Sequence, residues 1–268
     1  MNTILNFYAE INAGFLHAKG KEGTNYLVSI LDCKPDDTVL EIGVGTGATL
    51  IKVASKYKSI KLHGVDISEL MLNKTKERLK FCGLTAQVEL QLTNPSGKLP
   101  YADNSFDRVY VESVIAILEK EQIDTMIKEI SRVLKPEGLL YANETIWLPE
   151  TSDSEIERIN SFCKKHFGII QSNGIYKFPQ HWKSLLEANG LAVFSMQYAD
   201  EIDWSSVGRD AGLKERLSAI FSLAGKIKAK LKTSLRKEYR NYKSDMDSLQ
   251  LGKKRYMDGV IIVAGNKK

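Results

Sequence analysis

The stretch Val39-Leu40-Glu41-Ile42-Gly43-Val44-Gly45-Thr46-Gly47-Ala48 leaves this chain few ways to fold. Its first residues predict a short buried strand, its glycines a tight turn, and Gly47 onward the first turn of a helix. Without a Cβ, a glycine tolerates positive φ and lets backbone N–H groups come close to a ligand. A helix starting there aims its positive dipole end and its unpartnered N–H groups at the same spot. Downstream, Leu62-His63-Gly64-Val65-Asp66-Ile67-Ser68 reads as a second strand ending in a carboxylate, with Asp66 placed 19 positions beyond Gly47. A strand–helix–strand unit sets such an acid beside a ribose. The combination predicts a nucleoside-cofactor site.

Two nucleosides compete for it. Gly43-x-Gly45-x-x-Ala48 satisfies the permissive dinucleotide fingerprint, which by itself is a weak signal. Against it, Glu41 ends the strand two residues before the first glycine, where a pyrophosphate would meet like charge, and Gly47 follows Gly45 by two positions instead of three. An acid followed by alternate glycines suits S-adenosylmethionine, which carries an ammonium and a sulfonium and no phosphate. Glu41-x-Gly43-x-Gly45-x-Gly47 followed by Gly64-Val65-Asp66-Ile67-Ser68 resembles the first two motifs of class I S-adenosylmethionine-dependent methyltransferases. Leu99-Pro100-Tyr101-Ala102-Asp103-Asn104-Ser105-Phe106-Asp107 is similar to the family's "LPF-x-D-x-SFD" segment. Glu129-Ile130-Ser131-Arg132-Val133-Leu134-Lys135-Pro136-Glu137-Gly138 is similar to its "E-x-x-RVLKPGG" helix and turn. The series, closest to the small-molecule type with ubiquinone/menaquinone-methylase-like motifs, covers residues 38–147.

The resemblance implies an α/β fold: a Rossmann-like, doubly wound, seven-stranded sheet, mostly parallel with an antiparallel last strand, plus a helical cap. The expected organisation is one domain over residues 1–268. Residues 1–34 form an N-terminal helical segment, 35–200 and 256–268 the cofactor-binding core, and 149–178 and 201–255 helical cap insertions. S-adenosyl-L-methionine is the implied cofactor. Glu41, Gly43, Gly45, Thr46 and Gly47 are its expected contacts in the turn, Asp66 and Ile67 at the ribose and Glu112 at the fourth strand's exit. Asn94 stands where the family usually has an Asp that accepts from the adenine amino group; its carbonyl oxygen can still accept. Phe15 to Thr24 loosely resembles the "LHPGG" segment of some small-molecule methyltransferases, with Gly20 fitting and Lys19 replacing a usual glycine.

The 268 residues suffice for one α/β domain with a cap. With 43% hydrophobic and 26% charged residues the composition is that of an ordinary globular protein, and a net charge of +5 is too small to imply a nucleic-acid partner. Three cysteines without C-x-x-C spacing suggest neither a disulfide framework nor a zinc site, and no His or Cys spacing predicts a metal. No signal pattern or membrane-length apolar run is present, so a reduced, cytoplasmic enzyme is expected. The fourth strand's exit carries neither the Asn/Asp-Pro-Pro-aromatic loop of amino-methylating nucleic-acid enzymes nor a Pro-Cys nucleophile.

Methyl transfer from a sulfonium is an in-line displacement that needs no protein nucleophile or metal. Tyr8, His17 and Glu144 are candidate catalytic groups, and Glu112, His166 and His181 further candidates for a general base if the acceptor must lose a proton. The expected acceptor is a small molecule in a capped pocket. A lipid-borne or macromolecular acceptor, and a non-catalytic cofactor-binding protein, are the alternatives. The oligomeric state is not legible in the sequence. Leu213, Leu217, Ile220, Ala224, Ile227, Leu231 and Leu235 recur at spacings of three and four, predicting one long amphipathic helix whose apolar stripe packs on the core while its lysines face water. The alternative is a basic surface, within 213–243, that meets anionic lipid. Titration calorimetry is expected to show binding of S-adenosylmethionine and its demethylated product and no measurable binding of NAD.

Overall fold

A computed structural model of the chain describes residues 3–17, 19–205, 207–208, 212–249 and 254–266. Ala18, within the segment that resembles "LHPGG", lies outside them. The strands are β1 (Thr38–Ile42), β2 (Lys61–Asp66), β3 (Val88–Leu92), β4 (Phe106–Glu112), β5 (Leu134–Trp147), β6 (Leu191–Tyr198) and β7 (Met257–Asn266). They form one sheet in the order β3-β2-β1-β4-β5-β7-β6. The first five strands pair in parallel, and β7 runs antiparallel between β5 and β6. This is the doubly wound sheet that the motif series implies. The strand order reverses between β1 and β4, the switch point where open α/β sheets bind ligands.

Alternation along the strands explains the two cores. Leu40 and Ile42 of β1 and Leu140 and Ala142 of β5 face the cluster that holds Ile123, Ile127 and Ile130 of α5 (Lys120–Val133) and Trp182 of α7 (Pro179–Ala188). Val39 and Tyr141 face the other side. There Leu27 of α2 (Gly20–Ile30), Leu50 of α3 (Ala48–Lys56) and Leu79 of α4 (Glu69–Cys82) pack. Helix α4 runs between an N-cap at Ser68, which accepts from the Met71 N–H, and Gly83 at φ +65°. Helices α1 (Ile4–Glu10) and α6 (Asp153–Phe167) lie outside this frame and share a smaller cluster around Ile4, Trp147, Ile159 and Phe167. Lys19, standing where a glycine is usual, adopts the left-handed backbone (φ +58°) that such a position demands.

The C-terminal cap corrects the expectation of one helix with an inward stripe. Two helices, α8 (Leu213–Leu231) and α9 (Thr233–Ser248), meet at Lys232, which is extended (ψ 114°). Of the stripe, Leu217 packs toward the core and Leu235 is buried against Phe7 and Ile11. Leu213, Ile220, Ile227 and Leu231 are instead exposed, at 71, 53, 49 and 78%. The buried face of α8 is small and polar, built on Ser218 and Gly225. A Cβ at Gly225 would stand 1.9 Å from the Ile11 carbonyl oxygen, so α8 approaches the end of α1 as closely as only glycine allows.

What replaces apolar packing there is Arg78, a guanidinium only 1% exposed. Its Nε donates to the Thr46 carbonyl (2.7 Å), and Nη1 to the Ser218 carbonyl and hydroxyl (2.9 Å each) and the Ser222 hydroxyl (3.0 Å). Its Nη2 donates to the Asn12 carbonyl (2.9 Å) and the Thr46 hydroxyl (3.1 Å). All six acceptors are neutral oxygens, and the Phe221 ring lies 4.8 Å away. Burial lowers the Arg78 pKa to about 10, which leaves it charged at neutral pH. Arg78→Met would orphan several buried acceptors, so urea unfolding is expected to show a loss of about 3 kcal/mol. Arg78→Lys should restore only part of it, because an ammonium cannot span the fork.

Candidate active site

A cavity of about 580 Å³ opens at the C-terminal ends of β1, β2 and β4. The glycine turn forms its floor, and the glycines do different work. Gly45 (φ +53°) lines the cavity, and a Cβ built there would meet nothing within 4 Å, so the bare backbone faces open ligand space. Gly43 also lines it and packs so tightly on Val114 that a Cβ would come within 2.3 Å of that side chain. Gly47 is not among the residues that line it. At φ +80° it starts α3, and a Cβ would stand 2.8 Å from Thr75 of α4. Thr46 reaches the cavity, but its hydroxyl is spent on the Ala13 carbonyl (2.6 Å), tying the turn to the crossing segment that follows α1.

Three carboxylates, Glu41, Asp66 and Glu112, line this cavity. Glu41 is buried and accepts from the Tyr110 hydroxyl at 2.6 Å. Burial holds its pKa well above the usual carboxylate range, the Tyr110 bond opposes this, and neighbouring Glu112 and Asp66 push it up further. Asp66 accepts from the Gly45 N–H (2.9 Å) and the Ser68 N–H (2.8 Å), so it braces the turn from the end of β2. Its pKa is raised by burial and pulled back by those bonds. Three acids in one partly dry cavity repel one another, and a cationic ligand relieves that repulsion.

Two independent features test whether S-adenosylmethionine fits. One is the open space above Gly45. The other is Ser113, at the cavity wall beside Glu112: its backbone is left-handed (φ +51°) and its buried hydroxyl has no partner in the protein, a donor and acceptor left for a ligand. Ile67, 56% exposed at the rim, offers an apolar surface. Asn94 also lines the cavity, its carbonyl oxygen held by the Ser96 N–H (2.9 Å) and hydroxyl.

At the opposite end, Glu112 is enclosed by donors. Thr49 reaches Oε1 at 2.8 Å, Asn143 reaches Oε2 at 3.0 Å, and Thr24 lies 3.2 Å from both oxygens. His17 joins this group, with Nδ1 3.3 Å from Glu112 and 3.2 Å from Asn143, and Nε2 2.8 Å from the Thr24 hydroxyl. In either tautomer both ring nitrogens are occupied. His17 thereby clamps the segment after α1 to α2 and to the ends of β4 and β5.

The other candidate bases lie elsewhere. Glu144 does not line the cavity; it accepts from the N–H groups of Val114, Ile115 and Ala116 and fixes the loop after β4. Burial raises its pKa to about 7 against the pull of those three bonds. Tyr8 packs against Phe7 and the cluster containing Tyr242. His166 stacks on Phe162 and pairs with Asp245 at 3.2 Å, and His181 sits beside Phe178. Sequence reasoning missed Thr24, Thr49, Asn143 and Ser113, since single hydroxyls and amides on four different elements carry no pattern. The two later motifs prove structural. Arg132 bonds Leu99, Tyr101, Asp103 and Glu129, and Asp107 binds Lys135 and the Thr38 N–H.

Residues 39–138 match the family model described as a methyltransferase domain. Methyltransferase GfsG of Streptomyces halstedii is 30% identical over 183 residues, covering 68% of this chain and 62% of that protein. Demethylmenaquinone methyltransferase of Bacillus cytotoxicus is 32% identical over 139 residues, 52% of this chain and 57% of that protein. The chain thus spans less than two thirds of either relative. Phosphoethanolamine N-methyltransferase 2 of Haemonchus contortus, solved with S-adenosyl-L-methionine, superposes with a TM-score of 0.69 at 18% identity over 99% of this chain and 57% of that one, a likeness of fold. Motifs, sheet order, cavity and relatives together show a class I S-adenosylmethionine-dependent methyltransferase domain over residues 39–138. Its methyl donor is S-adenosyl-L-methionine.

Asp66 is the residue on which the donor site should depend most. Charge-assisted bonds to ribose are worth roughly 1.5–3 kcal/mol each. Asp66→Ala also orphans the Gly45 and Ser68 N–H groups. Calorimetry is expected to show binding weakened at least about tenfold, together with a lowered melting temperature.

Proposed function

We propose that this enzyme methylates a small, predominantly apolar acceptor. The observation that carries this reading is the cavity wall away from the donor site: Leu5, Leu16, Ile117, Leu118 and Ile169 line it, and among the described residues no lysine or arginine does. A phosphorylated acceptor, of the kind named for the Haemonchus contortus enzyme, would find acids and no cation in such a site. An acceptor resembling that named for the menaquinone relative would find apolar contact. Nothing in the cavity's composition suits a nucleic-acid acceptor either.

Gly45, Asp66, Ser113 and Glu41 are the residues that would hold the donor, which supplies an electrophilic methyl group on a sulfonium. The chain's task is then alignment and exclusion of water. Good alignment alone accounts for roughly 7–11 kcal/mol of barrier in model systems. The apolar wall orients the acceptor, and the carboxylate triad matches the donor's positive charge. His17, with both nitrogens engaged, is a positioning residue: it keeps Phe15 and Leu16 folded over the cavity.

A radiolabelled-donor assay on a panel of acceptors tests the proposal. Transfer is expected to hydrophobic phenols, quinols or polyprenyl compounds, and Leu5→Asn should raise the acceptor KM about tenfold, the worth of one apolar side chain, while donor affinity stays unchanged. Transfer confined to phosphoethanolamine or another charged amine would overturn it.

A further inference from the structure

The outward face of α8 is apolar. At about 100° per residue, Leu213, Ile220, Ile227 and Leu231 fall within about 40° of arc, and Leu223, 55% exposed, borders them. Ser218 and Gly225 lie on the opposite, buried side. The stripe runs about 27 Å along the helix at 1.5 Å per residue. Phe81 of α4, 48% exposed and 5.8 Å from the Phe221 ring, supplies beside α8 the aromatic group that the stripe lacks.

Charge identifies what this face meets. Residues 216–237 contain seven lysines and arginines and no acid, whereas the whole chain nets +5, so everything else nets −2. Lys226, Lys228, Lys230 and Lys232 are exposed along the stripe and at its end. A second copy of this chain would set one such basic segment against another. An anionic bilayer matches both features, taking the leucines and isoleucines into its interfacial layer and the lysines to its headgroups. We propose that α8 is a docking surface for an anionic membrane, on which the protein lies; no helix among the described residues is long and apolar enough to cross one.

The position of α8 connects the surface to the site. Gly225 and Phe221 of α8 contact Ile11 and Asn12, and Lys228 pairs with Glu10 at 3.2 Å. Leu5 and Asn6 of α1 line the cavity. The face is therefore one helix removed from the acceptor wall.

Flotation of the full chain with phosphatidylcholine vesicles, alone or with about one third phosphatidylglycerol, tests the proposal. Binding is expected only to the anionic vesicles and should weaken from low to physiological salt. Ile220→Glu with Ile227→Glu should abolish it, and Lys226→Glu, Lys230→Glu and Lys232→Glu together should weaken it by more than about tenfold. These positions are exposed, so donor affinity and melting temperature should not move. Absence of binding by the wild type at low salt, or binding insensitive to these changes, would overturn the proposal. So would a dimer in sedimentation analysis that the Ile220→Glu, Ile227→Glu variant splits, because the face would then belong to a second copy.

Discussion

Arg78 is the constraint on which the periphery of the cofactor site depends. A buried guanidinium is costly unless its donors are used, and here each nitrogen finds oxygen on a different part of the chain: the glycine turn, the segment after α1, and α8. Of these three, the glycine turn is also bonded to the sheet, through Val65 and Asp66 of β2. Thr46 is bonded both to Ala13 and to Arg78, so the turn that cradles the donor and the segment that closes over it share one anchor. The same anchor dictates the cap. Because α8 must offer Ser218 and Ser222 to Arg78 and Gly225 to Ile11, its small polar face turns inward and its apolar face is left outside.

Inside the cavity burial dominates the electrostatics, and repulsion between neighbouring acids adds to it. Glu41, Asp66 and Glu112 stand close enough for Glu112 and Asp66 to raise the Glu41 pKa, and Glu112 raises that of Glu144 as well. A site of this kind favours the sulfonium donor over its product, which keeps the ammonium but has lost one positive charge. Tyr110 and the backbone donors to Asp66 hold these acids in place.

The sheet, the first four helices of the frame and the donor turn were legible because they follow local rules: apolar alternation, an N-cap at Ser68, a left-handed glycine at position 83. Asp66 and Glu41 were legible as acids at strand ends. Turn glycines look alike in sequence, whereas Gly45 faces the open cavity and Gly47 packs on Thr75. Glu144 is ambiguous in sequence for a similar reason: a buried carboxylate at a strand end can serve a substrate or backbone N–H groups, and here it accepts from three in the loop after β4. Arg78 left no trace, since its partners are carbonyls and hydroxyls up to 144 residues away. The stripe of α8 was correctly seen as amphipathic and assigned to the wrong side. A hydrophobic period fixes that two faces differ, and the buried guanidinium fixes which one is inside.

Helix α1 joins these elements. One side of it, through Leu5 and Asn6, faces the cavity, while Phe7 and Ile11 pack on Leu235 of α9. With seven residues it is too short to be stable alone, and it takes its position from what lies on either side. An acceptor filling the cavity and a surface ordering α8 and α9 would stabilise the same placement of α1, and two ligands that favour one arrangement assist each other's binding. Helix α1 thus joins the cavity to the C-terminal cap through its own packing, with Leu5 and Asn6 on one side and Phe7 on the other.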